Sequence, residues 1–144
     1  MEGVEKILKR FKKYTLNKCI EMTAKDLQRL VRMEAADDNG YARCCSCGKR
    51  EHYKKMDGGH FISRTHKATM LRPDNVHAQC KGCNIRNGNQ PGYSLFLTAR
   101  YGEGKVEELM AAAREVKQWT REELAELRYK FKLEIKEHEQ RIKD

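Results

Sequence analysis

The chain has 144 residues, 39% of them apolar and 35% charged, with a formal net charge of +9. That length suits one domain with a small core, and small cores often need a metal staple. No apolar run is long enough to span a membrane, and charged residues break up the first twenty positions, so neither a membrane span nor a secretory leader is expected.

Residues 1–40 read as an N-terminal helical arm. Val4, Ile7, Leu8, Phe11 and Tyr14 form one apolar stripe, with Lys9, Arg10, Lys12 and Lys13 mostly on the other face. A second helix is expected to begin at Thr23, whose hydroxyl suits an N-cap. Leu27, Leu30 and Val31 form its core face, and Asp37-Asp38-Asn39-Gly40 ends it. Residues 41–90 change character, with frequent glycines and short apolar runs. Strands are expected near 55–62 and 75–79, with a short helix from about Lys81, which makes a ββα unit. Residues 91–144 return to helical spacing. Pro91 suits a first turn, and Tyr93, Phe96, Leu97 and Tyr101 share a face until Gly102 and Gly104 interrupt it. Val106, Leu109, Met110, Ala113 and Val116 build a further helix. Thr120 and Glu123 then form a capping box, with Trp119 and Leu124 placed as a hydrophobic staple. Leu124, Leu127, Phe131, Ile135 and Ile142 continue as a stripe that would pack on the core or pair two copies in a homodimer. The expected fold class is α+β.

The middle segment carries the chemistry. Cys44-x-x-Cys47 and Cys80-x-x-Cys83 are two knuckles, and four thiolates saturate one tetrahedral zinc. Gly48 accepts the positive φ that such a turn favours. Cys45 reads as a spare small residue and Cys19 as a buried apolar one. Six cysteines without a leader point to a reducing cytoplasm and to metal ligation. Residues 44–90 hold nine Lys/Arg against three Asp/Glu, whereas 1–43 hold ten against seven and 91–144 hold eleven of each. The positive excess therefore surrounds the cysteines, where a polyanion would be held.

His60 lies between the knuckles, and with Asn75 and Asn84 downstream it falls in the order of an HNH nuclease. Imidazole titrates near neutrality, which makes His60 the candidate general base. Asn75 would bridge backbone groups across the 62–75 loop and hold the His60 strand. Asp57 and Asn84 offer the hard oxygens that a catalytic magnesium or manganese ion prefers. Arg64, His66, Lys67, Arg72, Lys81 and Arg86 would contact DNA through its phosphates. His66 is equally readable as an exposed residue, and His52, His77 and His138 as structural or exposed.

Asp57-Gly58-Gly59-His60-Phe61-Ile62-Ser63-Arg64, Asp74-Asn75-Val76-His77-Ala78-Gln79-Cys80-Lys81-Gly82-Cys83-Asn84 and Gly88-Asn89 resemble the Rap/NinG family of phage recombination nucleases. The resemblance covers roughly residues 41–140. It implies a zinc-stapled ββα-metal (HNH) core flanked by helices, with magnesium- or manganese-dependent cleavage of branched DNA such as Holliday junctions and D-loops. For a phage protein it also implies the host cytoplasm. Many nucleases of the wider HNH class have an acidic residue or histidine immediately before the catalytic histidine. Here that position is Gly59; a bulge at Gly58-Gly59 could bring Asp57 in, and the resemblance implies that Asp-x-Gly-His is usual for this family. Two other readings stand beside this one. A non-catalytic zinc-dependent DNA-binding module needs the cysteines and basic residues but not His60, and a general nicking endonuclease needs no branched substrate.

Overall fold

A computed structural model describes residues 2–143, and it opens with two helices, α1 (Glu2–Phe11) and α2 (Leu16–Ala35). The second helix starts earlier than the sequence suggests. Thr15 is its cap, with the Lys18 amide donating to Thr15 Oγ1 at 3.1 Å. Thr23 lies inside the helix, fully buried, and its hydroxyl donates to the Cys19 carbonyl at 2.9 Å. Cys19, Ile20, Thr23, Ala24 and Leu27 share one face, so burial extends the helix through the expected cap.

Strands β1 (Tyr41–Arg43) and β2 (Arg50–His52) form a hairpin that hydrophobic alternation does not announce, because most of its side chains are charged or polar. Its turn is the first cysteine knuckle. Strands β3 (Asp57–His60) and β4 (Val76–Gln79) pair antiparallel, and the short helix α3 (Lys67–Met70) lies in the connection between them. Helix α4 (Lys81–Ile85) follows β4 directly. The β3–β4 register is unbroken, from Asp57 opposite Gln79 to His60 opposite Val76. No bulge forms at Gly58-Gly59. These glycines serve close packing instead: a Cβ on Gly58 would lie 2.7 Å from the Gln28 Cα of α2, and one on Gly59 would strike the Gln79 side chain.

Helices α5 (Gln90–Tyr101) and α6 (Lys105–Ala113) are separated by Gly102 and Gly104, both at positive φ. Helix α6 turns Leu109 and Ala112 inward. Val116 lies beyond its end and is 92% exposed, so it is not part of the apolar face the spacing suggested. Helix α7 (Arg121–Arg141) has the expected capping box, with the Glu123 amide donating to Thr120 Oγ1 and the Thr120 amide donating to Glu123 Oε1, both at 3.1 Å.

Three arginines of α7 tie it to the N-terminal helices. Arg121 donates to the Phe11 and Tyr14 carbonyls at the end of α1, and Arg128 pairs with Asp26 at 2.7 Å. Arg141 donates to the Met33 and Ala36 carbonyls at the end of α2. Leu124, Phe131, Ile135 and Ile142 are buried against α1 and α2. Of the two roles expected for the stripe, it takes packing on the core. Helix α2 also packs on β4, all four of whose residues are buried, so one core joins the terminal helices to the middle segment.

Candidate functional site

The four knuckle cysteines converge. The Sγ atoms of Cys44, Cys47, Cys80 and Cys83 all lie within 4.8 Å of one another, and Cys47 and Cys80 are 3.8 Å apart. Sulfurs about 2.3 Å from a tetrahedral zinc would sit about 3.8 Å apart, so the cluster can hold a structural ion such as zinc. Local structure aims each pair. The β1–β2 turn, with Gly48 at φ +79°, directs the Ser46 and Cys47 amides at Cys44 Sγ. Cys80 caps α4, with the Cys83 amide on its sulfur at 3.4 Å. Asn89 Nδ2 donates to Cys83 Sγ at 3.3 Å. Cys45 points away into a cluster with Phe61, Tyr93 and Leu97, where burial pushes its thiol up to about 12. Cys19 is fully buried beside Phe11.

A second site lies on the other flank of α4. Asp57, His60, Arg64 and Asn84 line one open cleft of about 600 Å³. His60 Nε2 lies 2.9 Å from the Met70 carbonyl. A carbonyl can only accept, so Nε2 carries the proton and Nδ1 keeps its lone pair. Burial lowers the His60 pKa, the Met70 carbonyl opposes this, and the Arg64 charge adds to it, leaving the imidazole below its ordinary value. Asp57 receives Lys81 Nζ at 2.7 Å on one oxygen and Asn84 Nδ2 at 3.0 Å on the other. Partial burial works against its charge, but these two donors hold the carboxyl below the usual range. Asn75 is fully buried in the connection behind His60. Its Oδ1 accepts from the Ile62 amide at 2.8 Å, and its Nδ2 donates to the Ile62 and Thr69 carbonyls.

A family model described as Bacteriophage Lambda NinG protein matches residues 2–141. The chain belongs to the NinG family. NinG is a phage recombination family, and the match runs through the terminal helices as well as the cysteine centre and the cleft. No curated protein and no solved structure gives a significant match.

In this NinG-family chain the basic residues singled out in the sequence divide into two groups. Arg64, His66, Lys67, Lys81 and Arg86 are exposed, with Arg64 on the cleft itself and Lys81 at its edge through Asp57. Arg72 is engaged within the chain. Its guanidinium forks onto Asp74 at 2.9 and 2.7 Å and reaches Glu108 at 2.8 Å, and Lys105 joins the same carboxylates. That network staples α6 to the start of β4. Among the other histidines, His52 caps the turn after β2 and His138 accepts from Arg141.

Sequence reasoning missed a buried relay behind β3. Tyr93 Oη donates to the Gly59 carbonyl at 2.7 Å, so it accepts from His77 Nδ1–H at 3.0 Å, and His77 Nε2 accepts from Tyr101 Oη at 2.8 Å. Helical spacing put Tyr93 and Tyr101 on the inner face, but their hydroxyls gave no partner to read. The relay supports the residue just before His60. Burial, helped by Arg100, lowers the His77 pKa to about 4. In the unfolded chain this histidine takes up a proton near its ordinary value of 6.5, whereas the folded one resists until about 4. The unfolded state therefore binds more protons in that window, and stability should fall by up to about 3 kcal/mol as pH drops through it. Comparing acid unfolding of the native chain with His77→Gln isolates this contribution from the cysteines: the variant should lose that part of the slope, and an unchanged slope would rule the contribution out.

Proposed function

We propose that this chain is a divalent-metal-dependent DNA endonuclease with an HNH-type ββα-metal core, in which His60 activates water for attack on a phosphodiester. The observation that carries this reading is the His60 tautomer. With Nε2–H held on the Met70 carbonyl, Nδ1 is the basic nitrogen, and His60 shares its cleft with Asp57 and Asn84. The water proton passes to Nδ1 as the water oxygen bonds to phosphorus and the P–O bond to the leaving group breaks. Asn75 keeps the His60 strand and the α3 connection in register through its three hydrogen bonds.

The cleft's donors suit a hard cation. Asp57 and, with its amide turned over from donating to Asp57, the Asn84 oxygen would be the oxygen ligands, and a magnesium ion keeps several waters beside one or two of them. Bound there, magnesium or manganese would neutralise the phosphate and stabilise the leaving oxygen. Lys81, whose side chain is 62% exposed, would then exchange Asp57 for a phosphate oxygen. Arg64, Lys67 and Arg86 supply further phosphate contacts that carry no base preference. Membership of a phage recombination family makes branched intermediates, including Holliday junctions and D-loops, the favoured substrates.

Magnesium-dependent cleavage of branched against linear DNA tests the proposal. Binding without cleavage in any divalent metal would leave a zinc-dependent binding module, and equal cleavage of both substrates a general nicking enzyme. Asp57→Ala should raise the magnesium requirement at least about tenfold, the scale on which even indirect damage to a metal site acts. Its zinc content should be unchanged. A wild-type magnesium response in that variant would remove Asp57 from the site.

A further inference from the structure

We propose that a second basic cleft, on the cysteine-knuckle face, holds the phosphate backbone of a double-stranded DNA arm extending from the His60 cleft. The inference rests on the endonuclease reading for its class of ligand. The cleft is open, about 1180 Å³ in volume, and Lys49, Lys54, Lys55, Lys81 and Arg86 line it against the single carboxylate of Glu51 among its described lining residues. Lys49 pairs with Glu51 at 2.8 Å. Only Lys81 and Arg86 of these cations stood out in the sequence. The other three come from the β1–β2 hairpin and the turn after it, which the knuckle folds against α4.

Continuity with the first cleft gives the surface a direction. Asn87 and Gln90 border both clefts, and Lys81 lines the second while its ammonium reaches Asp57 in the first. A polyanion running from Arg64 past Lys81, which would leave Asp57 for a phosphate, would next meet the lysines of the second cleft. A plainer role for these cations is to offset the metal centre, since Cys47 is exposed on this cleft and a zinc ion held by four thiolates keeps a double negative charge. The five cations outnumber Glu51 and that double charge by two, and by one once Asp57, the partner of Lys81, is counted, so a small positive excess remains. No aromatic ring is among the described lining residues, which leaves single-stranded bases nothing to stack on and favours contact with a duplex backbone.

The test uses the full chain carrying His60→Ala, so that bound DNA is not cut, with and without Lys49→Gln and Lys55→Gln together. Affinity for one duplex and for one of its separated strands is measured across a salt series, alongside zinc content. The double change should make the duplex salt dependence shallower by about 0.9 in log–log slope for each lysine, with zinc unchanged. An unchanged slope, or zinc loss with no change in slope, would assign the lysines to the metal centre and overturn the proposal. Tighter binding of the single strand, with the larger slope change, would overturn the duplex assignment. Should the double variant fail to fold, Lys55→Gln alone must show its share of the shift. The readout does not depend on cleavage: a wild-type chain that cuts nothing while the slope still shifts would retire the endonuclease and keep the cleft.

Discussion

Replacing His60 with alanine should slow DNA cleavage by about 10²–10⁴-fold while leaving the fold and DNA affinity nearly intact. The imidazole makes one hydrogen bond, to the Met70 carbonyl, and the net worth of such a bond is about 1 kcal/mol. The backbone around it is held independently by the Asn75 bridge and by Tyr93 on the Gly59 carbonyl. The loss should therefore appear in the rate at saturating DNA. The pH profile gives a second signature. A base works when unprotonated, and burial depresses the His60 pKa, so the rate should rise with pH along a limb centred below 6.5 and level off above it. His60→Ala should lose that limb along with the rate. Wild-type cleavage in the variant would pass the role to His66, which is exposed on the same connection. His77 is not a substitute, because both its nitrogens are bonded to buried or half-buried tyrosine hydroxyls.

What the sequence could disclose depended on how local each signal was. Paired cysteines at knuckle spacing, the Thr120–Glu123 box and the Gly102/Gly104 break each act within a few residues, and each is found where local chemistry put it. The strand, loop, strand, helix order of residues 57–85 was likewise written in short apolar runs between glycines. The start of α2 was hidden because Thr15 and Thr23 both suit a cap, and only packing of Cys19 and Ile20 against α1 and α7 decides between them. The β1–β2 hairpin was hidden because its stability comes from its turn and a buried Ala42, not from alternation. The engagement of Arg72 was hidden for a related reason. A charged side chain looks the same in sequence whether it faces solvent or carboxylates brought from another helix, here Glu108 of α6. Helix α3 had a usable signal in Ala68-Thr69-Met70-Leu71, three of which are buried, and it matters because Met70 supplies the carbonyl that sets the His60 tautomer.

Removing the metal from the cysteine centre, or changing Cys80 to serine, should unfold the middle segment and abolish cleavage even at saturating magnesium. Structural zinc sites of this kind contribute about 10–16 kcal/mol of apparent binding energy at neutral pH, which is as large as the whole stability of a small domain. Cys80 occupies the point of greatest leverage. It joins β4 to α4, caps that helix through the Cys83 amide, and lies with Cys47 of the β1–β2 turn at 3.8 Å. Helix α4 has only five residues, too few to persist alone, so without the metal nothing fixes Asn84 and Lys81 opposite Asp57. The two ions would then be coupled in one direction. A chelator selective for zinc should destroy the magnesium response, whereas omitting magnesium should leave zinc content and the unfolding temperature of the zinc-loaded chain unchanged. The terminal helices should outlast this loss in part, because α1, the first half of α2 and the start of α7 share a packed cluster without the knuckle cysteines. Circular dichroism should accordingly keep much of its helical signal while cleavage disappears. Native protein free of zinc, or full activity in Cys80→Ser, would show that the cysteines are packed together for a reason other than metal.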